Sequence, residues 1–227
     1  MRYEGKFIVL EGIDGAGTTT QTVKLGEYLF KRDKRNIVVL TREPTSSPPW
    51  GERLRRCLQG EVPEQEMPQN PLEWADLFVN DRKSHVNQII VPAVREGCHV
   101  VCDHHMLSTL AYQSAQGVDM ETLVKMHEGL YSPDLTLYFE IDPQAAFNRR
   151  ASDSTSPEYF EKLDFQQKVA LAYRAAVQRI RPYQRIEIID ASASRSIDDV
   201  AGQIQRHVDT LFPQEKDRNK DKEKRGV

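Results

Sequence analysis

The chain has 227 residues, of which 39% are hydrophobic and 29% charged, a composition typical of a soluble globular protein with one sizeable core. The net charge of −3 provides no basic field and argues against nucleic acid as a partner. The N-terminal apolar run FIVL is too short for a signal peptide or a membrane span, so we expect no membrane partner. The three cysteines lack metal-ligand spacing and are expected to be free thiols. Together these features favour a cytoplasmic protein.

Five short apolar segments predict β-strands, at residues 6–12, 36–43, 99–104, 134–142 and 185–192. Helical patterns lie between and after them, at residues 18–34, 71–97, 106–116, 120–130, 143–152, 162–180 and 196–212. Pro92 is expected to bend or split the longest of these helices. Strands that alternate with helices predict an α/β fold, with a parallel sheet covered by helices on both faces.

The C-terminal segment 213–227, PQEKDRNKDKEKRGV, has a different composition from the rest of the chain. It is highly charged and contains no large apolar residue before Val227. Such a segment cannot bury enough apolar surface to offset its loss of conformational entropy, so we expect a disordered tail, with a functional tail as the alternative. Residues 1–212 are therefore predicted to form a single domain.

A glycine-rich segment, EGIDGAGTTTQ at residues 11–21, joins the first predicted strand to the first helix. Backbone N–H groups in such a turn, together with the N-terminus of the helix, bind phosphate oxygens. Gly12, Gly15 and Gly17 have the spacing of a phosphate-binding loop, and Thr19 stands where a hydroxyl would hold Mg²⁺. Thr18 occupies the position at which the common motif has a lysine, so a plain strand-to-helix turn is the alternative.

Polar residues follow three of the predicted strands. The loop 12–19 follows the first strand, Thr41–Glu43 end the second, and Asp103–His105 end the third. Because ligands of open α/β sheets bind beyond the carboxyl ends of the strands, we expect these three segments to form one site.

Five motifs in chain order resemble those of thymidylate kinases. They are FIVLEGIDGAGTTTQ (7–21), LTREP (40–44), DLFVNDRKSHV (76–86), CDHHMLSTLAYQ (102–113) and PDLTLYFEIDPQAAFNRR (133–150). The resemblance extends from about residue 5 to residue 190. It implies a three-layer P-loop NTPase fold with a five-stranded parallel sheet, a lid at about residues 151–164, transfer of phosphate from ATP to dTMP with Mg²⁺, and a homodimer.

The resemblance also implies site residues. The ATP site would contain Gly12, Ile13, Asp14, Gly15, Ala16, Gly17, Thr18, Thr19, Thr20, Arg149 and Arg150. The dTMP site would contain Asp14, Arg42, Phe78, Arg82, Ser108, Tyr112 and Gln113. In the family, Phe78 would stack on thymine, Arg82 would donate to its O4, and Tyr112 would disfavour a ribose hydroxyl. Catalytic roles fall on Asp14, Arg42, Asp103 and His104, and metal binding on Thr19, Glu43 and Asp103.

The chain departs from the family pattern in its positive charges. Thr18 replaces the lysine, His104 replaces an arginine that bridges the two substrates, and the lid ASDSTSPEYFEKLD contains no arginine. Compensating charge is expected from Arg42, Mg²⁺, Arg149 and Arg150 at the entrance of the lid, and Lys162 at its exit. An ordinary imidazole at position 104 would be mostly neutral at pH 7. Three readings follow: an active dTMP kinase, a weakened homologue that binds nucleotide in a regulatory role, or a kinase of another deoxynucleotide such as dUMP.

Overall fold

A computed structural model describes residues 5–153, 160 and 162–212, and it contains one five-stranded parallel sheet. The strands are β1 (Phe7–Glu11), β2 (Val38–Arg42), β3 (His99–Asp103), β4 (Leu135–Glu140) and β5 (Ile186–Asp190), in the order β2-β3-β1-β4-β5. All five predicted strands and the α/β fold class are confirmed.

The register of the sheet brings the chemically active strand ends together. Leu10 of β1 and Arg42 of β2 both pair with Asp103 of β3, and Glu11 pairs with Tyr138 of β4. The carboxyl ends of the central strands therefore lie side by side, as the sequence predicts.

Nine α-helices surround the sheet within the described residues. They are α1 (Thr18–Arg32), α2 (Trp50–Leu58), α3 (Pro71–His85), α4 (Val91–Arg95), α5 (Met106–Ala115), α6 (Met120–Met126), α7 (Pro143–Asp153), α8 (Leu163–Ile180) and α9 (Ile197–Asp209). The sequence patterns missed α2, which begins two residues after Pro48 in a segment rich in turn-forming residues. Its Leu54, Cys57 and Leu58 are buried against α3.

The predicted interruption of the long helix by Pro92 is confirmed. A π-helical turn, Val86–Ile90, lies between α3 and α4, and Pro92 stands in the first turn of α4. Proline lacks the N–H that a regular helix would need at this point, and the wider turn before it accommodates the loss.

Both faces of β1 are buried, which explains its continuous apolar sequence. Ile8 and Leu10 belong to a large core cluster that includes residues of α1, α5, α8 and α9. Phe7 and Val9 belong to a second cluster, in which Val86, Ile90 and Val94 cover the opposite face.

Two predicted segments extend beyond the described residues. The tail, 213–227, and positions 154–159 and 161 of the predicted lid lie outside them. In the part of the chain that the structure describes, no helix is long and apolar enough to cross a membrane.

Candidate active site

The loop between β1 and α1 has a backbone that only glycine adopts easily. Gly15 and Gly17 have φ angles of 84° and 94°, in the left-handed region. A Cβ atom on Gly15 would lie 2.2 Å from the carbonyl oxygen of Ala146 in α7, so this residue also permits a close approach of two backbones. The N–H of Ala16 donates to the carbonyl of Ile13 at 3.0 Å and closes the turn. The buried Gly12 and Ile13 anchor the loop to the sheet.

The N-terminus of α1 is open to an anion. Gly17 is its N-cap residue and provides no side-chain cap, and the first turn, Thr18–Thr20, contains no acidic residue. The first N–H groups of a helix have no intrahelical partners and carry a partial positive charge, so they are available to phosphate oxygens. Thr18 is buried, and Thr19 and Thr20 are exposed. The structure therefore supports a phosphate-binding loop that works through backbone groups.

Thr19 and Asp103 form a pair of oxygen ligands at the end of the sheet. The hydroxyl of Thr19 donates to Oδ2 of Asp103 at 2.5 Å. Oδ1 of Asp103 is buried and has no hydrogen-bond partner among the described residues; Nε2 of His104 lies 3.8 Å away. A hydroxyl and a carboxylate with one uncommitted oxygen suit the hard-oxygen preference of Mg²⁺.

A partly open cavity lies between the phosphate loop, α3, α5 and Phe160. The empty space in it is about 580 Å³, including the part open to solvent. Six of the seven predicted dTMP ligands line it: Asp14, Phe78, Arg82, Ser108, Tyr112 and Gln113. Glu43 and His104 also line it, as do Pro44, Leu58, Thr109 and Phe160, which the sequence did not indicate.

Tyr112 is tied to the phosphate loop. Its hydroxyl donates to Oδ2 of Asp14 at 2.8 Å, and Nε2 of Gln166 approaches the same oxygen at 3.2 Å. Gln166 also donates to the carbonyl of Phe160, within the predicted lid, at 2.9 Å. Burial, together with the charge of Asp14, raises the pKa of Tyr112 well above its ordinary value, so the phenol stays protonated. Gln166 was missed because nothing local in the sequence connects it with residue 14.

Arg82 lies at the centre of a buried polar network beside the cavity. Its Nε donates to Oε2 of Glu43 at 2.7 Å, and Nδ1 of His85 lies 2.9 Å from Oε1 of the same carboxylate. Burial alone would raise the pKa of Glu43, but Arg82, His105 and His85 together outweigh it and hold the pKa at about 2. Both oxygens of Glu43 thus have protein partners, and its role as a metal ligand stays a prediction.

His104 occupies an acidic environment. Its Nδ1 lies 2.9 Å from Oγ of Ser108 and 3.6 Å from Oε2 of the buried Glu11. Burial alone would lower the pKa of His104, but the carboxylates of Asp103, Glu11 and Asp14 raise it to about 9. The imidazole is therefore charged at neutral pH, whereas an unperturbed one would be mostly neutral. Its φ of 63° is unusual for a residue with a side chain.

Glu11, which the sequence did not single out, organises the start of α5. Its Oε1 accepts from the backbone N–H groups of His105 and Ser108, at 2.9 and 3.3 Å, and its Oε2 accepts from the Ser108 hydroxyl at 2.5 Å. The available signal was its position: an acidic residue that ends a buried strand directly before the glycine-rich loop.

Four predicted cationic residues lie away from the cavity lining. Arg42 is exposed and makes no hydrogen bond or ion pair within the described residues. Arg149 donates to the carbonyl of Ser192 at 3.1 Å, Arg150 is in α7, and Lys162 is exposed at the N-cap of α8. Their roles toward ATP and the monophosphate stay predictions.

Comparison with known proteins gives consistent matches along nearly the whole chain. A family model described as Thymidylate kinase matches residues 10–204. The chain is 36% identical over 203 residues to a probable thymidylate kinase of Pyrococcus horikoshii, covering 88% of this chain and 94% of the relative. It is 36% identical over 210 residues to a thymidylate kinase of Desulfotalea psychrophila, covering 92% of this chain and 96% of the relative. It is 37% identical over 202 residues to a thymidylate kinase of Pelotomaculum thermopropionicum, covering 86% of this chain and 89% of the relative.

Proposed function

The chain belongs to the thymidylate kinase family, and we propose that it transfers the γ-phosphate of ATP to dTMP, giving ADP and dTDP. One observation carries this proposal. The cavity that begins at Asp14 of the phosphate loop is lined by Phe78, Arg82, Tyr112 and Gln113, the residues expected to contact a thymine deoxynucleotide.

The polar groups of the cavity suit a pyrimidine with a carbonyl at C4. Gln113 is completely buried, and both its amide oxygen and its amide nitrogen lack partners among the residues that the structure describes. Such an amide can accept from a ring N–H and donate to a carbonyl oxygen. Arg82 can only donate, so it favours a carbonyl over the amino group of cytosine. Phe78 supplies an aromatic wall for stacking.

The sugar is proposed to bind next to Tyr112 and Asp14. Their hydrogen bond fixes the phenol ring against the phosphate loop. A fixed ring at this position leaves little space for a 2′-hydroxyl, which favours a deoxynucleotide.

The triphosphate is proposed to bind along the loop and the N-terminus of α1, with Thr18 and Thr20 beside the phosphate oxygens. We propose that Thr19 and Asp103 hold Mg²⁺, with Glu43 as a further predicted ligand. When bound, the ion neutralises phosphate charge. Arg149 and Arg150 are proposed to contact ATP, and Arg42 to bind the monophosphate of dTMP.

The chemical step needs no dedicated base, because a monophosphate oxygen is already a nucleophile. Catalysis then rests on alignment and on neutralising the charge of the transferred group. His104 is proposed to contribute positive charge between the two nucleotides, because the surrounding carboxylates keep its imidazole protonated at neutral pH. Asp14 is proposed to orient the sugar.

A homodimer and a cytoplasmic location are also proposed, from the family resemblance alone. Sedimentation equilibrium of the purified chain tests the first, and a mass near 26.1 kDa, that of one chain, would contradict it.

The direct test is turnover. Purified protein is mixed with ATP, Mg²⁺ and dTMP, dUMP, dCMP, dGMP or UMP in turn, and ADP formation is followed, while calorimetry measures the binding of dTMP and of ATP. We expect turnover with dTMP of about 1 s⁻¹ or more and little with the purine and cytosine nucleotides. Tight dTMP binding with negligible turnover would favour the weakened homologue instead, and preferred turnover of dUMP would favour a different kinase.

A further inference from the structure

The donors of Arg82 are almost completely committed to the protein. A guanidinium has five N–H hydrogens. Nε donates to Glu43, one Nη1 hydrogen donates to Oγ1 of Thr109 at 3.0 Å, and Nη2 donates to the carbonyl of His105 at 2.8 Å. The other Nη1 hydrogen points to Nε2 of His127 at 2.6 Å. One hydrogen on Nη2 therefore has no acceptor within residues 5–153, 160 and 162–212, although Arg82 lines the cavity.

The contacts of His127 determine its tautomer. Its Nδ1 lies 2.7 Å from the carbonyl oxygen of Leu123. A carbonyl oxygen only accepts, so Nδ1 carries the hydrogen. A guanidinium only donates, so Nε2 faces Arg82 with its lone pair. His127 is thus a neutral imidazole that accepts from Arg82.

The backbone fixes the orientation of this ring. His127 is the C-cap residue of α6, and Leu123 lies one helical turn before it. The side chain satisfies a carbonyl of the last turn of the helix, one of the groups that a helix end leaves without an intrahelical partner. The residue is 6% exposed, so its side chain has little freedom to move.

We propose that His127 is a positioning residue for base recognition, which holds the Arg82 guanidinium so that its remaining Nη2 hydrogen is presented to the 4-carbonyl oxygen of the bound pyrimidine. This inference rests on the proposed function. It assigns to His127 a role in discriminating between carbonyl and amino substituents, without contact between His127 and the nucleotide.

The surroundings keep His127 in the accepting state. Burial, with the nearby charge of Arg82 as the second cause, lowers the pKa of His127 to about 3. The imidazole therefore stays neutral at every pH at which a kinase assay is run, and Arg82 always finds an acceptor.

Two substitutions at this position separate positioning from packing. His127→Leu removes the acceptor, and His127→Gln retains one in the amide oxygen. The control is His99→Leu, which also removes a buried histidine; Nδ1 of His99 accepts from the N–H of Lys6 at 3.0 Å, at the amino end of β3. Calorimetry measures the Kd of dTMP, dUMP and dCMP, and steady-state kinetics measure kcat and KM with dTMP.

We expect His127→Leu to raise the Kd of dTMP about tenfold, because the remaining donor of Arg82 is no longer aligned. The preference for dTMP over dCMP should fall by a similar factor, whereas the ratio of dTMP to dUMP, which both have a 4-carbonyl, should stay the same. His127→Gln should remain within about threefold of the wild type, as should the control. The KM of ATP should not change in any variant.

Unchanged discrimination against dCMP in His127→Leu, or an equal loss of dTMP affinity in the His99→Leu control, would overturn the inference. A wild-type protein that binds no dTMP would instead refute the proposed function, so the two failures are distinguishable.

If His127→Leu does not fold, the wild type provides the test. Nitrogen-15 NMR of the histidine side chains should show the Nδ1–H tautomer for His127, and dTMP but not dCMP should shift the Nη2 resonance of Arg82. A protonated His127, or an Arg82 resonance that dTMP does not move, would contradict the proposal.

Discussion

The ion pair between Glu43 and Arg82 allows a quantitative prediction about stability. Both side chains are buried, with 3% and 1% of their surfaces exposed. The pKa of Glu43 falls from 4.5 to about 2. At about 1.4 kcal/mol for each pH unit, this corresponds to about 3 kcal/mol of stabilisation at neutral pH. The value agrees with the 3–5 kcal/mol typically lost when one partner of a buried pair is removed.

Glu43→Gln tests this estimate, because the substitution removes the charge and keeps the shape. Circular dichroism during urea unfolding at pH 7 measures the free energy of unfolding. We expect this free energy to fall by about 3 kcal/mol. Glu140→Gln is the control, since the pair of Glu140 with Arg174 is half-exposed, with 43% and 53% of the side chains in contact with solvent. It should change stability by less than about 1 kcal/mol.

The same pair predicts a pH dependence. The pKa of Glu43 is lower in the folded than in the unfolded protein, so its contribution is complete above pH 4.5 and disappears as the pH falls toward 2. The difference in stability between wild type and Glu43→Gln should shrink over this window. A loss below about 1 kcal/mol at pH 7, or a difference that does not vary between pH 4.5 and pH 2, would refute the reasoning.

Three further predictions concern the site. Gly15→Ala places a Cβ 2.2 Å from the carbonyl oxygen of Ala146, at a position with a left-handed backbone. The affinity for ATP, measured by calorimetry, should fall at least about tenfold. An unchanged Kd of ATP would contradict the loop geometry. Tyr112→Phe removes the hydrogen bond to Asp14, and kcat/KM for dTMP should fall about fivefold; a larger effect on ATP than on dTMP would argue against this placement of the sugar. The pKa of His104 is raised to about 9, so its charge is present below that pH and is lost above it. The pH profile of kcat should therefore decline near pH 9 in the wild type, and His104→Arg should remove this decline. A decline that persists in His104→Arg would assign it to another group.

Much of the fold could be predicted because its signals are local. Each of the five strands is a short apolar run, and the helices between them repeat their apolar residues with helical spacing. Gly15 and Gly17 mark the turn of the phosphate loop because their left-handed backbone suits only glycine. Helix α2 was missed because its signal is weak: the prolines before Trp50 indicate a turn, and Leu54, Cys57 and Leu58 become a helical face only when α3 covers them.

The spacing of residues along the chain is enough to predict which of them share a local element, such as Phe78 and Arg82, four residues apart on one face of α3. The contacts that those residues make depend on long-range packing, which the spacing does not reveal. Glu43 and His127 are 39 and 45 residues away from Arg82, and they become its partners because the sheet and α6 bring them to it. In the same way, a histidine at position 104 is uncharged at pH 7 by its intrinsic chemistry, and it carries a charge here because folding places carboxylates from β1, β3 and the phosphate loop around it.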